Sequence, residues 1–220
     1  MIDYKRQIVL FDPSKHEAAK VVMVGCGNIG SHTALALARM GIQHFTLVDF
    51  DTVEVHNLSS QAYRVEDAQK NRYKVYPLSE MMKEINPAVT VEVLRKSFQE
   101  SGLTLDAATI LVSAVDSMHT RKAIESMVRD TGCMVVDGRM GGGQIEVHAQ
   151  RASEWGATLV DEADSDPCGA RYISYTSYII AGLIANNVKR FLQGETYPYR
   201  ILMHCDTLEI LRHYPHVTKT

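Results

Sequence analysis

The chain has 220 residues, 45% of them hydrophobic and 22% charged, with a net charge of −3 at neutral pH. That length and apolar content suffice for one medium domain with a sizeable core, so residues 1–220 are expected to form a single unit. The slight acidic excess and the scatter of Lys and Arg exclude an electrostatic case for nucleic acid or an anionic membrane surface as partner.

In chain order, MIDYKRQIVLFD shows no secretory leader. KVVMVG (20–25) is a continuous β-branched run with a glycine stop and reads as a strand buried on both faces. After GCGNIG, SHTALALARM has the small and helix-favouring residues of a helix closed by Gly41. HFTLVDF (44–50) is the next strand, and residues 65–85 read as an approach loop and then a helix, with Pro77 in its first turn or kinking it. VTVEVL (89–94), TILVSAV (109–115) and CMVVDGR (133–139) are further short strands, and SMHTRKAIESMVRDTG has helical periodicity with Gly132 as its stop. GGGQIEVHAQ looks like a return strand. EWGATLVDEADSDPCGAR (154–171) is acidic, marked by Gly and Pro and weakly patterned, and is expected to be a mobile loop.

YISYTSYIIAGLIANNVKRFL (172–192) is expected to be a buried core helix, since polar residues interrupt it and Lys189–Arg190 close it. RILMH and TLEILRHY end the pattern as a pair of strands around Asp206–Thr207. Strands alternating with helices predict an α/β fold: a Rossmann-like, mostly parallel sheet with helices on both faces, plus C-terminal antiparallel strands and a final core helix. Cys26, Cys133, Cys168 and Cys205 form no CxxC pair, which favours free thiols and a reducing cytoplasm.

Gly25 to Gly30, with Gly27, Asn28 and Ile29 between, form GxGxxG between a strand and a helix, the context in which that motif carries weight. The first glycine permits a tight turn, the second lets backbone approach phosphate, and the third allows close packing, while the helix end offers N–H groups to an anion. Asp49 follows Gly30 by 19 residues, where a carboxylate accepts ribose hydroxyls. This predicts an adenine nucleotide but does not separate NAD from ATP. A dehydrogenase needs a substrate half for which little chain remains.

YKRQIVLFD, the run from VVMVG through NLSSQ, NRYK, KEINP, SAVDSMHTR and VKRFLQG together resemble the ThiF, MoeB and HesA family, bacterial relatives of ubiquitin-activating enzymes. The resemblance covers almost the whole chain. It implies an adenylyltransferase that uses ATP and Mg²⁺ to activate the C-terminal glycine of a small ubiquitin-like or sulfur-carrier protein ending in Gly-Gly. It implies that Arg6 reaches into a partner subunit's site, hence a homodimer. Asp49 and Asp51 match the family's paired acids, Asn57 and Gln61 its NLxRQ motif, Lys74 (or Lys70, if the loop alignment slips) its phosphate lysine, and Asp116 its Mg²⁺ aspartate. Cys168 stands where many members carry a cysteine that either receives the activated carrier as a thioester or makes a sulfur linkage. The family's two CxxC pairs are missing, so no zinc is expected.

Elementary chemistry agrees with those roles. A carboxylate attacking the α-phosphorus of ATP needs fixed cations on the departing pyrophosphate and no general base, because the nucleophile is already an anion. Asp116, at the end of the apolar run TILVSAVD, is expected to be costly there without a cation or donors. At Ser60 the sequence departs from NLxRQ and loses a cation, which Arg64, one turn on, is expected to replace. Two further readings stand beside this one: a nucleotide-binding relative or partner subunit without turnover, and a small NAD-dependent oxidoreductase.

Overall fold

The computed structural model describes residues 2–159 and 173–215. Its strands are β1 (Lys20–Val24), β2 (His44–Val48), β3 (Thr90–Leu94), β4 (Thr109–Ser113), β5 (Met134–Gly141), β6 (Gln144–Arg151), β7 (Arg200–His204) and β8 (Glu209–His213). They form one sheet in the order β3-β2-β1-β4-β5-β6-β7-β8. β3 to β5 in that order run parallel, and β6, β7 and β8 are added antiparallel. The predicted parallel sheet with an antiparallel C-terminal extension is the observed one.

Burial explains the continuous apolar runs. Val21 and Met23 face one core, with Leu37 of α1 (Asn28–Met40), Leu78 and Met82 of α3 (Val75–Ile85), and Ile180 and Ile184 of α6 (Ser174–Leu192). Val22 and Val24 face the other, with Ile124 of α4 (Met118–Val128) and Trp155 of α5 (Ala152–Trp155). With helices on both faces, β1 and β4 have no polar side to alternate with. The 172–192 run is a core helix as expected, and no helix of the described residues is long and apolar enough to cross a membrane.

Helix ends follow the sequence. Gly41 closes α1 in the left-handed region at φ 100°, its N–H donating to Ala38 O. Pro77 is the third residue of α3, where the N–H it lacks is not needed. Two expectations change. The approach loop before α3 contains a short helix, α2 (Val65–Gln69), and a 3₁₀ turn, Val55–Ser59, lies ahead of it. The first part of the proposed mobile loop is ordered, because α5 and a 3₁₀ turn, Gly156–Thr158, seat the fully buried Trp155. Cys168, and the rest of that loop from residue 160, lie outside the described residues.

Candidate nucleotide site

The glycine loop leaves β1 and turns at Gly25, φ +88°, where a Cβ would lie 2.6 Å from Ala114 O. A Cβ at Gly30 would lie 1.9 Å from Gly25 O, so both glycines are needed for packing alone. Gly27 is different: its missing Cβ would meet only Gln61 Nε2, at 4.0 Å. The turn thus stays open on the side of Gly27, and among the described residues no side chain caps the α1 end that begins at Asn28. First-turn N–H groups at such an end suit an anion. Ile29 is buried behind them, and Ser177 of α6 holds the side-chain oxygen of Asn28.

Asp49 ties this loop to β2. One carboxylate oxygen accepts the Cys26 N–H at 2.6 Å and the other the Asp51 N–H at 2.7 Å. Burial pushes the Asp49 pKa up, opposed by the Lys74 charge and these two N–H donors. Each oxygen keeps a lone pair for a hydroxyl. From the other side, the buried Tyr63 donates its hydroxyl to Cys26 O. Sequence reasoning missed Tyr63, since nothing local to Gln61-Ala62-Tyr63 marks a residue that closes a loop 37 positions earlier.

Lys74, which sequence alone left open as a solvated helix residue, is only 7% exposed. Its ammonium donates to Asp51 at 2.8 Å, and its own N–H donates to Asp51 O at 2.9 Å. Burial disfavours that ammonium, yet the Asp49 charge and the Asp51 hydrogen bond and charge outweigh it and raise the Lys74 pKa. A cation that remains charged at neutral pH is therefore fixed beside the glycine loop. Lys70 pairs instead with Glu66, at 3.5 Å on the surface of α2.

The NLSSQ stretch is docked on α1. Asn57 Oδ1 accepts the Glu54 N–H at 2.9 Å and shapes the 3₁₀ turn. His32 Nε2 lies 2.8 Å from Ser60 O, which makes that nitrogen the protonated one, and Ala62 N–H donates to Ser31 Oγ at 3.2 Å. Ser60 is 6% exposed, packed where a long cationic side chain would have to turn outward. Gln61 Oε1 is buried above the glycine loop and has no hydrogen-bond partner among the described residues.

The remaining expected residues are placed less simply. Arg64 does not turn toward the glycine loop: its guanidinium sits 2.6 Å from Glu84 and 3.9 Å from Glu66. Glu84 lies ten residues beyond Lys74, about 15 Å along α3. Asp116 is exposed, because β4 stops at Ser113, so the expected cost of burial at this carboxylate does not arise. The loop carrying it is held by Arg121, which donates to Val115 O and Gly138 O and, at 3.0 Å, to the fully buried Asp137. Arg139 and the Trp155 indole complete that network on Asp137. No group of three metal-binding side chains is present among the described residues. Asp116 still fits Mg²⁺, which is commonly held by one or two carboxylates together with substrate phosphates.

Arg6 is exposed at the far end of α1, where Gln7 Nε2 donates to Met40 O at 2.8 Å. The length of α1, about 18 Å, separates it from the glycine loop of its own chain.

The sequence profile of the ThiF family matches residues 4–220. The chain is 30% identical over 164 residues to the molybdopterin-synthase adenylyltransferase of Salmonella typhimurium, covering 70% of this chain and 65% of the relative. It is 32% identical over 129 residues to the Haemophilus influenzae protein of that name, covering 56% of this chain and 53% of the relative. It therefore spans between about half and two thirds of the length of these two curated relatives. Its fold superposes on Escherichia coli MccB, in a crystal structure with ATP, with a TM-score of 0.77 at 18% identity, covering 96% of this chain and 71% of MccB. That profile match, over residues 4–220, places the chain in the ThiF family.

Proposed function

We propose that the chain is an ATP-dependent adenylyltransferase that activates the C-terminal glycine carboxylate of a small ubiquitin-like or sulfur-carrier protein as an acyl-adenylate. The observation that carries this reading is Lys74: a buried ammonium, clamped by Asp51, whose field reaches Asp49 and Cys26 of the glycine loop. A carboxylate oxygen of the carrier attacks the α-phosphorus, the bond to the β-phosphate oxygen breaks, and the electron pair leaves with pyrophosphate. Charge then grows on the departing oxygens, where a fixed cation lowers the barrier most. No proton changes hands, so the site needs no His-centred relay.

In this reading Asp49 receives the ribose, Asn57 and Gln61 line the phosphates, and the backbone from Gly25 to Gly30 cradles them. Asp116 would hold Mg²⁺, whose chemistry there is to neutralise phosphate charge. Arg6 acts on the site of a second copy, which its distance from its own glycine loop supports. Beside it Ile8, Val9 and Leu10 stand exposed, Val9 at 92%, an apolar surface that a homodimer would cover. The Cys168 thiolate then attacks the carbonyl of the acyl-adenylate, forming a thioester as the acyl–phosphate bond breaks and AMP leaves. The buried free thiols of Cys26, Cys133 and Cys205 suit a reducing cytoplasm.

The test is exchange of labelled pyrophosphate into ATP with a panel of carriers. Exchange that requires a carrier ending in Gly-Gly is the expected result, and NAD-dependent oxidation with no exchange would sink it. One observation favours a second reading, a nucleotide-binding relative without turnover: the buried Ser60 in place of a family cation. ATP raising the melting temperature with no carrier supporting exchange would establish that reading instead.

A further inference from the structure

The KEINP motif and the residues flanking Arg6 meet at one place in the fold. Asn86, 3% exposed, ends α3, its N–H donating to Met82 O at 2.8 Å. Its side-chain Nδ2 donates at 3.1 Å to Ala38 O in the last turn of α1 and at 3.3 Å to the hydroxyl of Tyr4. Gln7 Nε2 donates to Met40 O, one of the carbonyls that the end of a helix leaves without an intrahelical donor. Gly41 completes the seat: a Cβ there would lie 3.0 Å from Tyr4 Cζ and 2.5 Å from Pro13 Cβ.

Arg6 stands between the docked side chains of Tyr4 and Gln7. The backbone around it is a compact turn, in which Gln7 and Ile8 N–H both donate to Tyr4 O at 2.9 Å and Leu10 and Phe11 N–H donate to Gln7 O. The far end of the turn is pinned as well: Phe11 is buried and stacked on His16, and Gln193 at the end of α6 donates to Leu10 O at 3.0 Å. Lys5 pairs with Asp3 at 3.2 Å, whereas Arg6 has no hydrogen bond or ion pair among the described residues. Its backbone is thus held from both sides while its guanidinium is free. A cation on a fixed base gives up less freedom on meeting a phosphate, and a group held in place acts more strongly than a loose one.

Resting on the reading above that Arg6 serves the ATP site of a second copy, we propose that Tyr4, Gln7 and Asn86 are positioning residues for that arginine. They seat its turn on the ends of α1 and α3 and so fix where one copy presents the guanidinium to the other. Those ends lie away from the glycine loop and Lys74, so none of the three touches the nucleotide of its own chain.

Mixed dimers separate positioning from folding. A dimer of one Arg6→Ala chain and one Lys74→Ala chain has a single complete ATP site, whose arginine comes from the Lys74→Ala chain, and it is expected to regain pyrophosphate exchange. Tyr4→Phe together with Gln7→Met, which remove the polar ties at nearly unchanged size, is then added to one chain at a time. On the chain that supplies Arg6 the pair is expected to lower exchange about tenfold or more, the scale of a misplaced reacting group. On the other chain it is expected to change nothing. Equal effects from both chains, no effect from either, or dissociation of the dimer overturns the positioning role and leaves Arg6 in place. Mixed dimers that regain no exchange, from variants with the wild-type melting temperature, overturn the reading of Arg6 and the proposal with it. Absence of exchange in the wild type overturns the adenylation reading beneath both.

Discussion

At the carbonyl ends of β1 and β2, Asp49, Asp51 and Lys74 form a charge cluster whose acids keep free lone pairs and whose second acid is half-exposed. On β5, Asp137 sits at 0% exposure with Arg121, Arg139 and Trp155 all donating to it. Its pKa stays low despite burial because two guanidiniums flank it. Both clusters join carboxylate to cation, yet one is open to a ligand and the other is closed. An ion pair with unused acceptors beside an uncapped helix end is equipped to receive a substrate. A pair saturated from every side holds elements in place: Asp137 fixes Arg121, and Arg121 fixes the loop of Asp116.

The contrast breaks first at Asp137. Asp137→Ala leaves two guanidiniums without their acid and is expected to cost about 3–5 kcal/mol in urea denaturation; a loss below about 1 kcal/mol would remove the distinction. Lys74→Ala is expected to lower pyrophosphate exchange about 100-fold, the scale of losing one fixed transition-state donor. Its stability is expected to fall by less than that of Asp137→Ala, because Asp51 is half-exposed and Asp49 keeps its two N–H donors. A matched loss of stability and activity would make Lys74 a structural residue like Arg121.

Tyr63→Phe removes only the hydroxyl on Cys26 O and is expected to cost about 1 kcal/mol in denaturation while weakening ATP binding, since the glycine loop loses its tie at Cys26 O. The closed half should also show itself in acid. The His148 imidazole beside Glu146, opposed by burial and aided by Arg200, holds the Glu146 carboxyl at about 2. A folded pKa below the unfolded value of about 4.3 gives stability that is present above that value and is lost as pH falls toward 2. Glu146→Gln is expected to flatten melting temperature against pH across that window; an unchanged acid slope would assign it to other carboxylates. Smallest of all, Arg64→Ala is expected to change exchange by less than about threefold, because the guanidinium is spent on an exposed pair with Glu84. A larger drop would show that Arg64 leaves Glu84 for the phosphates and replaces the charge missing at Ser60.

Much of the frame was legible because its signals are local. The β-branched runs, the glycine loop and the Gly41 stop each report their own backbone, and Asp49 falls at a fixed spacing from Gly30. Legibility failed where a role depends on a partner far along the chain. Tyr63 closes on Cys26, Trp155 reaches Asp137, and Arg64 finds Glu84. Trp155 also ordered the beginning of a stretch whose composition reads as loop, because burying an indole outweighs weak local propensity.

By itself the sequence determined the fold class, the glycine loop and membership of the ThiF family, since periodicity, glycine placement and motif spacing are properties of neighbouring residues. The tertiary structure alone decided which charges are available. Whether Lys74, Arg64 or Arg121 faces a ligand or an internal acid depends on what packs against each one, and burial and pairing are set by elements that meet only in the folded chain.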